Sequence, residues 1–385
     1  MIKVTDKSKC SGCTACYAVC PHRAISMKAD ALGFLYPEVD MDICTDCGLC
    51  ERKCDFVSAN RSSKSFPEKL PVYAARNADP KVLESSQSGG VFPALAKAVI
   101  SVGGVVYGAA FRPDFTVAHM RSADLKGCAA FRGSKYVQSE LGDTFANVRN
   151  DLEKGITVLF SGTPCQVAGL LSYLPERLHG NLVTVDFVCH GVPSPAVWKD
   201  YLQYMKRKGE IVSVNFRDKA AGGWKVHYES FVYADGRKVF RETYKVMYYK
   251  NVMLRRSCES CPYDYTRRKS DIVMADFWGI EEFLTHWDGN SGTSMLIALS
   301  AKGREWVARA SEDLAMEAAE VPSELISRRN PNLMRPSKIY HESRMFEESY
   351  PEKGFMYAAR RWGDMGWRYK VWKLKVFIRK MTGRK

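Results

Sequence analysis

Two matching runs of four cysteines constrain the fold of the N-terminal segment more than any other feature. The first run has cysteines at 10, 13, 16 and 20, and the second repeats its C-x2-C-x2-C-x3-C spacing at 44, 47, 50 and 54. Three thiolates on one tight loop can bind three irons of a cubic cluster. Small residues such as Gly12 and Gly48 let backbone N–H groups approach the sulfides. The spacing therefore predicts iron–sulfur clusters.

This spacing resembles that of bacterial two-cluster ferredoxins, in which the fourth cysteine of each run binds the cluster of the other run. A pair of structural zinc sites is the alternative. Zinc is bound by four ligands in tetrahedral geometry, however, and would not require two interlocked cysteine runs. We therefore assign two 4Fe-4S clusters, one to Cys10, Cys13, Cys16 and Cys54 and the other to Cys44, Cys47, Cys50 and Cys20.

Length and composition limit the remaining possibilities. With 385 residues, 46% of them hydrophobic, the chain is long enough for two or three domains. The start lacks the apolar run of a signal peptide and no window is apolar enough to span a membrane, so we expect a cytoplasmic protein. In that reducing compartment the thirteen cysteines favour metal or redox sites over disulfides.

The order of apolar segments predicts the domain organisation. A ferredoxin module over 1–58 is followed by a polar linker over 59–71, and strand, helix and hairpin patterns occupy 72–155. The segment 156–345 alternates apolar strands with helices, as in a parallel sheet. We predict a multidomain α+β and α/β protein, in which a two-cluster ferredoxin-like module precedes an α/β body with a mixed, partly parallel sheet.

Four further cysteines fall in the body. Cys165 follows one predicted strand and Cys189 ends the next, so both are expected at the carboxyl edge of the sheet. Cys258 and Cys261 form a C-x-x-C pair that could complete a four-thiolate site, which leaves Cys128 unassigned. The residues leave open a third iron–sulfur cluster, structural zinc, a redox dithiol and ordinary buried thiols.

Six motifs between about Val72 and Gly279 resemble, in the same order, the beta-subunit family of coenzyme F420 hydrogenases and dehydrogenases, to which 7-hydroxymethyl chlorophyll a reductase also belongs. The motifs are SSQSGGVFPALA, FRGSKYVQS, FSGTPCQVAGL, DFVCHGVPSPAVW, FRDK and CESCPYDYTRRKSDIVMADFWG. The resemblance implies a flavin- and iron–sulfur-binding body that holds FAD beside a cluster. It favours a third 4Fe-4S cluster on Cys165, Cys189, Cys258 and Cys261.

Two motifs supply candidate FAD-binding residues. A predicted helix start offers backbone N–H groups to a phosphate at Ser88, Gly89 and Gly90. The second group matches a family motif and comprises Gly133, Ser134, Lys135 and Tyr136. Lys135 would bind a phosphate or the charge of the flavin, and Tyr136 would stack on the flavin. A solvated loop is the alternative for this second group.

His190, next to Cys189, is the candidate catalytic residue, as a proton donor. Hydrogen bonding beside the cluster is favoured over catalysis, and simple packing is the common alternative. The basic residues around the C-x-x-C pair are Arg255, Arg256, Arg267, Arg268 and Lys269. They could attract an anionic substrate or raise the reduction potential of a cluster. The alternative is a solvated run of charges.

These features predict an oxidoreductase that couples hydride chemistry at FAD to one-electron transfer through 4Fe-4S clusters. Its partners would be an organic hydride donor or acceptor, of the deazaflavin type or another reducible molecule, and a protein that donates or accepts electrons. The alternative is a non-enzymatic, ferredoxin-like electron-transfer subunit or docking module.

The net charge of +14 is concentrated at the C-terminus, where ten Lys or Arg and one Asp follow from Phe355 onward. Residues 346–385 are predicted as a basic amphipathic tail, with Trp367, Val371, Leu374 and Ile378 on one helical stripe. Such a helix suits an anionic membrane surface or a partner's groove, or packs on its own domain. Nucleic acid is not favoured, because no recognition motif accompanies the charge.

Overall fold

The computed structural model describes residues 1–58, 65–287 and 289–382. Its N-terminal module pairs two strands antiparallel, so that Ile25 lies opposite Val39, and adds three short helices. The module comprises β1 (Ile25–Ala29), β2 (Leu35–Val39), α1 (Ala15–Val19), α2 (Leu49–Arg52) and α3 (Asp55–Ser58). Residues 59–64, six of the thirteen residues of the predicted linker, lie outside the described residues.

The body is built on a sheet of eight strands in the order β13-β3-β12-β11-β7-β6-β4-β5. The pairs β4–β6, β6–β7 and β7–β11 are parallel and the others antiparallel, which confirms the predicted mixed, partly parallel sheet. The strands are β3 (Lys69–Asn77), β4 (Val105–Phe111), β5 (Val117–Ser122), β6 (Val158–Gly162), β7 (Leu182–Phe187), β11 (Ile272–Asp276), β12 (Ser294–Ala298) and β13 (Leu314–Pro322).

Helices cover both faces of this sheet, which explains the continuous apolar strands. In β6, Leu159 packs in the core on one face, whereas Val158 and Phe160 pack on the other. The helices of the body are α4 (Pro80–Ser85), α5 (Val91–Ser101), α6 (Leu125–Cys128), α7 (Thr144–Glu153), α8 (Pro164–Tyr173), α9 (Pro195–Lys206), α10 (Thr243–Tyr249), α11 (Ala301–Ala310), α12 (Ser323–Arg329), α13 (His341–Arg361) and α14 (Trp367–Thr382).

A second core lies beside the large sheet, where an antiparallel sheet in the order β10-β9-β8 packs with α9, α10 and α13. Its strands are β8 (Ile211–Asn215), β9 (Glu229–Tyr233) and β10 (Lys238–Arg241). The start of the predicted tail belongs to this core, because Phe346, Tyr350 and Trp362 of the α13 region are buried in it. Only α14 extends beyond it. None of the described helices is long and apolar enough to cross a membrane.

Candidate iron–sulfur and cofactor site

The two N-terminal cysteine runs exchange their fourth members in space. Burial raises the pKa of Cys16, and the neighbouring thiols of Cys13, Cys10 and Cys54 raise it further. Cys54, from the second run, therefore lies with the first three cysteines. Left-handed backbone at Gly12 (φ 70°) and Thr14 (φ 63°) shapes the first loop.

The remaining four N-terminal cysteines line a second, separate cavity, as the ferredoxin pattern requires: Cys20, Cys44, Cys47 and Cys50. The backbone N–H of Ile2 donates to Cys50 Sγ at 3.2 Å. Cys47 is exposed at this end of the module. A cluster bound by this second group of thiols would therefore lie near the protein surface.

The four cysteines of the body also come together in the structure. Cys165 lies in the first turn of α8 and Cys189 just after β7, and both line one narrow cavity with Cys258 and Cys261. Burial raises the pKa of Cys189 well above its usual value, and the other three thiols add to that effect. Three polar groups approach the sulfurs: Thr163 Oγ1 to Cys165 at 3.1 Å, Gly191 N to Cys189 at 3.4 Å and Val192 N to Cys258 at 3.4 Å.

This donor set fits a cationic group that is bound by four thiolates. Four buried thiols are costly to ionise without a cationic group between them, and a 4Fe-4S cluster takes four thiolates. The residues present therefore fit an iron–sulfur cluster.

The body cysteines adjoin the first N-terminal group. Gly169 of α8 packs so closely on the module that an added Cβ would lie 2.8 Å from Cys13 Sγ. The thiol of Cys165, one turn earlier on the same helix, lies close enough to raise the pKa of Cys13, which burial takes to about 12. Phe56 and Tyr263 fill the space between the two groups.

A cavity of about 500 Å³ opens on the other side of Cys165 and Cys189. Its size is within the range of cofactor pockets. Six of the seven candidate FAD residues line it: Ser88, Gly90, Gly133, Ser134, Lys135 and Tyr136. Burial lowers the pKa of Lys135 to about 7, and its Nζ donates to the backbone oxygens of Ala130 and Arg132, each at 2.8 Å. The first turn of α5, which starts after Gly90, also faces this cavity.

The seventh candidate, Gly89, is outside the cavity lining. Its N–H donates to Ser294 Oγ at 2.9 Å, and an added Cβ would lie 2.2 Å from the backbone oxygen of Ala75. Glycine is needed here for close packing against the sheet. The N–H of Gly89 is therefore not free for a phosphate.

Several cavity residues were not singled out from the sequence. Arg217 forms a 2.6 Å ion pair with Asp276, and its guanidinium lies 4.9 Å from the ring centre of Trp278. All three line the cavity. They were detectable, because Arg217 belongs to the FRDK motif and the other two to the motif that ends in DFWG.

His119 is a second residue that sequence reasoning missed. Its Nε2 contacts the Ser161 carbonyl oxygen at 2.9 Å, so this nitrogen carries the proton and Nδ1 accepts from Ser139 Oγ at 2.5 Å. Burial lowers the pKa of His119 to about 4, which keeps the ring neutral. No motif pointed to this residue.

His190 lines the same cavity, but both of its ring nitrogens are engaged. Nδ1 lies 3.1 Å from Asn332 Oδ1, and Nε2 lies 2.7 Å from Asn251 Oδ1. Both amide groups also donate through their nitrogens, to Ser337 Oγ and to the Lys338 carbonyl oxygen. This arrangement favours an orienting role beside Cys189 over proton donation to a substrate.

The basic residues around the C-x-x-C pair make specific contacts within the protein, although Arg256 and Lys269 stay exposed. Three of these residues form ion pairs with carboxylates, namely Arg256 with Glu347, Arg267 with Asp264 and Lys269 with Asp55. Arg268 is buried with Asp186, and Arg255 is fully buried against the module. Arg255 and Lys269 therefore join the body to the module, whereas Arg267 and Arg268 form their ion pairs within the body.

Comparison with known proteins agrees with this geometry. Residues 156–324 match the family described as the C terminus of the beta subunit of coenzyme F420 hydrogenase/dehydrogenase. This segment of the chain is therefore similar to the C-terminal domain of that family. Residues 9–57 match the 4Fe-4S dicluster domain, so the N-terminal module is an iron–sulfur module. The chain thus combines an iron–sulfur module with a segment that is similar to oxidoreductase subunits.

Individual relatives show the extent of the similarity. The chain is 28% identical over 230 residues to the F subunit of F420H2 dehydrogenase from Methanosarcina mazei, which covers 56% of this chain and 62% of that protein. The module is 35% identical over 51 residues to an uncharacterised ferredoxin of Methanocaldococcus jannaschii, 13% of this chain and 65% of that one. The chain therefore spans less than two thirds of each relative's length.

A solved structure of the F420-reducing NiFe hydrogenase complex from Methanosarcina barkeri contains a similar chain. The TM-score is 0.49 at 16% sequence identity, over 72% of this chain and 91% of that chain.

Proposed function

We propose that this protein is an iron–sulfur flavoenzyme with FAD in the large cavity and a third 4Fe-4S cluster on Cys165, Cys189, Cys258 and Cys261. FAD, when bound, exchanges a hydride with an organic partner and passes the two electrons on singly, while the proton goes to or comes from solvent. The partner is a deazaflavin-type coenzyme or another reducible molecule. The reaction would take place in the cytoplasm, where cysteine thiols stay reduced.

One observation carries this proposal: Cys165 borders the large cavity on one side and the first cysteine group of the module on the other. A cluster at this position would relay electrons between the flavin and the module. The exposed Cys47 group would then exchange electrons with a protein partner.

Residues of the cavity supply the remaining functions. The N-terminus of α5 and Lys135 would bind the phosphates or the flavin's negative charge. Arg217, held by Asp276, presents a fixed positive charge to the same space. His190 orients the loop that follows Cys189.

Cofactor content of anaerobically purified protein tests the proposal. We expect about twelve irons, four for each cluster, and about one FAD per chain. Iron without flavin would instead support the alternative, a ferredoxin-like electron-transfer subunit or docking module.

A cavity-filling variant makes the test specific. Ser134→Trp places an indole in the cavity and should abolish flavin binding while iron content stays unchanged. The matched control is Ser101→Trp at the exposed end of α5, which should keep both. Flavin retained at full occupancy in Ser134→Trp would contradict the assignment of the cavity. Reduction of the bound flavin by a deazaflavin, compared with a nicotinamide, would then identify the donor class.

A further inference from the structure

Among the described side chains of the C-terminal helix α14, contacts with the body involve Lys373 and Tyr369. Lys373 forms an ion pair with Glu242, and Tyr369 is partly buried. In the turn that precedes the helix, Thr243 Oγ1 donates to Asp364 Oδ1 at 2.7 Å. These contacts fix which side of α14 faces the protein.

The apolar stripe of α14 lies on the opposite side. At 3.6 residues per turn, Trp367, Val371, Leu374 and Ile378 share one face, roughly half a turn from Tyr369 and Lys373. Their exposed fractions are 70%, 41%, 58% and 49%. A helix that packed its apolar face on its own domain would bury these side chains. The packing alternative from the sequence therefore does not account for the stripe.

The charge on this surface is positive. Lys370 and Lys375 are exposed and flank the stripe on its two sides. They belong to a segment that carries ten basic residues and one acidic residue from Phe355 onward. The charge complements an anionic surface.

We propose that α14 docks the protein on an anionic lipid membrane, with the helix lying in the headgroup region and the stripe inserted below it. Tryptophan at the stripe and lysines beside it are the composition of helices that lie in a membrane interface. Four partly exposed side chains offer well under the roughly 800 Å² per partner that a stable protein interface buries. This inference does not depend on the proposed chemistry.

Co-sedimentation of the full chain with lipid vesicles tests the proposal at about 0.1 M salt. We expect binding to vesicles that contain phosphatidylglycerol and little binding to pure phosphatidylcholine. The double variant Lys370→Gln/Lys375→Gln should weaken binding roughly twenty-five-fold, since each lysine near an anionic surface contributes about a factor of five. Its control is Lys81→Gln/Lys126→Gln, which removes two exposed lysines elsewhere and should bind like the wild type.

A second pair of variants tests the stripe. Leu374→Glu should abolish binding, whereas Val212→Glu, at an equally exposed apolar position on β8, should leave it intact. Unchanged melting temperatures would show that the variants are folded. Equal binding to neutral and anionic vesicles, or binding that survives Leu374→Glu, would overturn the proposal. Failure of the wild type to bind either vesicle would also overturn the proposal. A protein partner would then be the remaining candidate for covering the stripe.

Discussion

The Nε of Arg255 donates a hydrogen bond to the backbone oxygen of Cys10 at 2.8 Å, which joins the C-x-x-C loop of the body to the first cysteine loop of the module. The same guanidinium lies 3.7 Å from Cys10 Sγ and 4.1 Å from the ring centre of Tyr36. Arg255 is fully buried, and no ion pair joins it to a carboxylate in the described part of the chain. A buried cation without a carboxylate needs another anion. A cluster bound by Cys10 and the proposed cluster on Cys165, Cys189, Cys258 and Cys261 would provide it.

Replacing Arg255 should therefore lower the reduction potential of the cluster bound by Cys10. The positive charge and the hydrogen bond near the sulfur both stabilise the reduced, more negative cluster. Arg255→Met removes both of them. We expect a shift on the order of tens of millivolts in an EPR-monitored redox titration. Arg255→Lys keeps the charge and should shift the potential less.

Arg256→Met is the matched control, because Arg256 is the adjacent residue, is partly exposed and pairs with Glu347. Its potential should equal that of the wild type. Equal shifts in Arg255→Met and Arg256→Met would show that general surface charge, and not the buried contact, sets the potential.

The proposed third cluster predicts a defined loss of iron. Cys258→Ala/Cys261→Ala removes two of the four thiols that surround the narrow cavity, so the protein should bind about four fewer irons while the module keeps its two clusters. Cys128→Ala is the control, since Cys128 is buried elsewhere, in the core beneath α5. Iron analysis and EPR spectra report the result. Unchanged iron in the double variant would refute the four-cysteine site.

Local sequence patterns were sufficient for the central part of the fold. The alternation of apolar strands and helices from β6 to α9 predicted parallel pairing, and pairing of Val158 with Leu182 in register confirms it. Parallel pairing also brings Cys165 and Cys189 to the same sheet edge. These features are local, because each strand is joined to its neighbour through one helix.

Distant pairings could not be read from the sequence. Strand β3 lies between β12 and β13, which follow it by more than two hundred residues, and Leu314 pairs with Asn77. Gly89 packs on that same strand, so its role was not visible locally. The partners of the basic run are similarly dispersed, since Asp55 is far in sequence from Lys269. Three of the run's four ion pairs depend on tertiary contacts, whereas Arg267 pairs locally with Asp264.

No side chain should be tolerated at position 169, because the lack of a Cβ at Gly169 lets α8 pack closely against the first cysteine loop. Alanine is the better helix former, yet Gly169→Ala would place a methyl group 2.8 Å from Cys13 Sγ. We expect a lower melting temperature and partial loss of the adjacent cluster, measured by iron content. Gly180→Ala is the control, since an added Cβ there meets no atom within 4 Å. Equal behaviour of the two variants would mean that the module does not contact α8 as described.

Glu229 predicts a pH-dependent stability. It is fully buried in the second core, where it accepts a hydrogen bond from Lys245 N at 2.5 Å. Burial raises the pKa of its carboxyl to about 8. The folded state therefore holds a proton that the unfolded chain releases above about pH 4.5. The stability contributed by this group is complete below that pH and is lost as the pH rises to about 8, at up to about 1.4 kcal/mol per pH unit.

Glu229→Gln keeps the shape and the acceptor of Glu229 but cannot ionise. Its melting temperature should match the wild type near pH 5 and exceed it near pH 9, because only the wild type must then bury a charge or take up a proton. Glu210→Gln, at an exposed position just before β8, is the control and should follow the wild-type pH profile. A Glu229→Gln variant that loses stability between pH 5 and 8 as steeply as the wild type would assign the pH dependence to other groups.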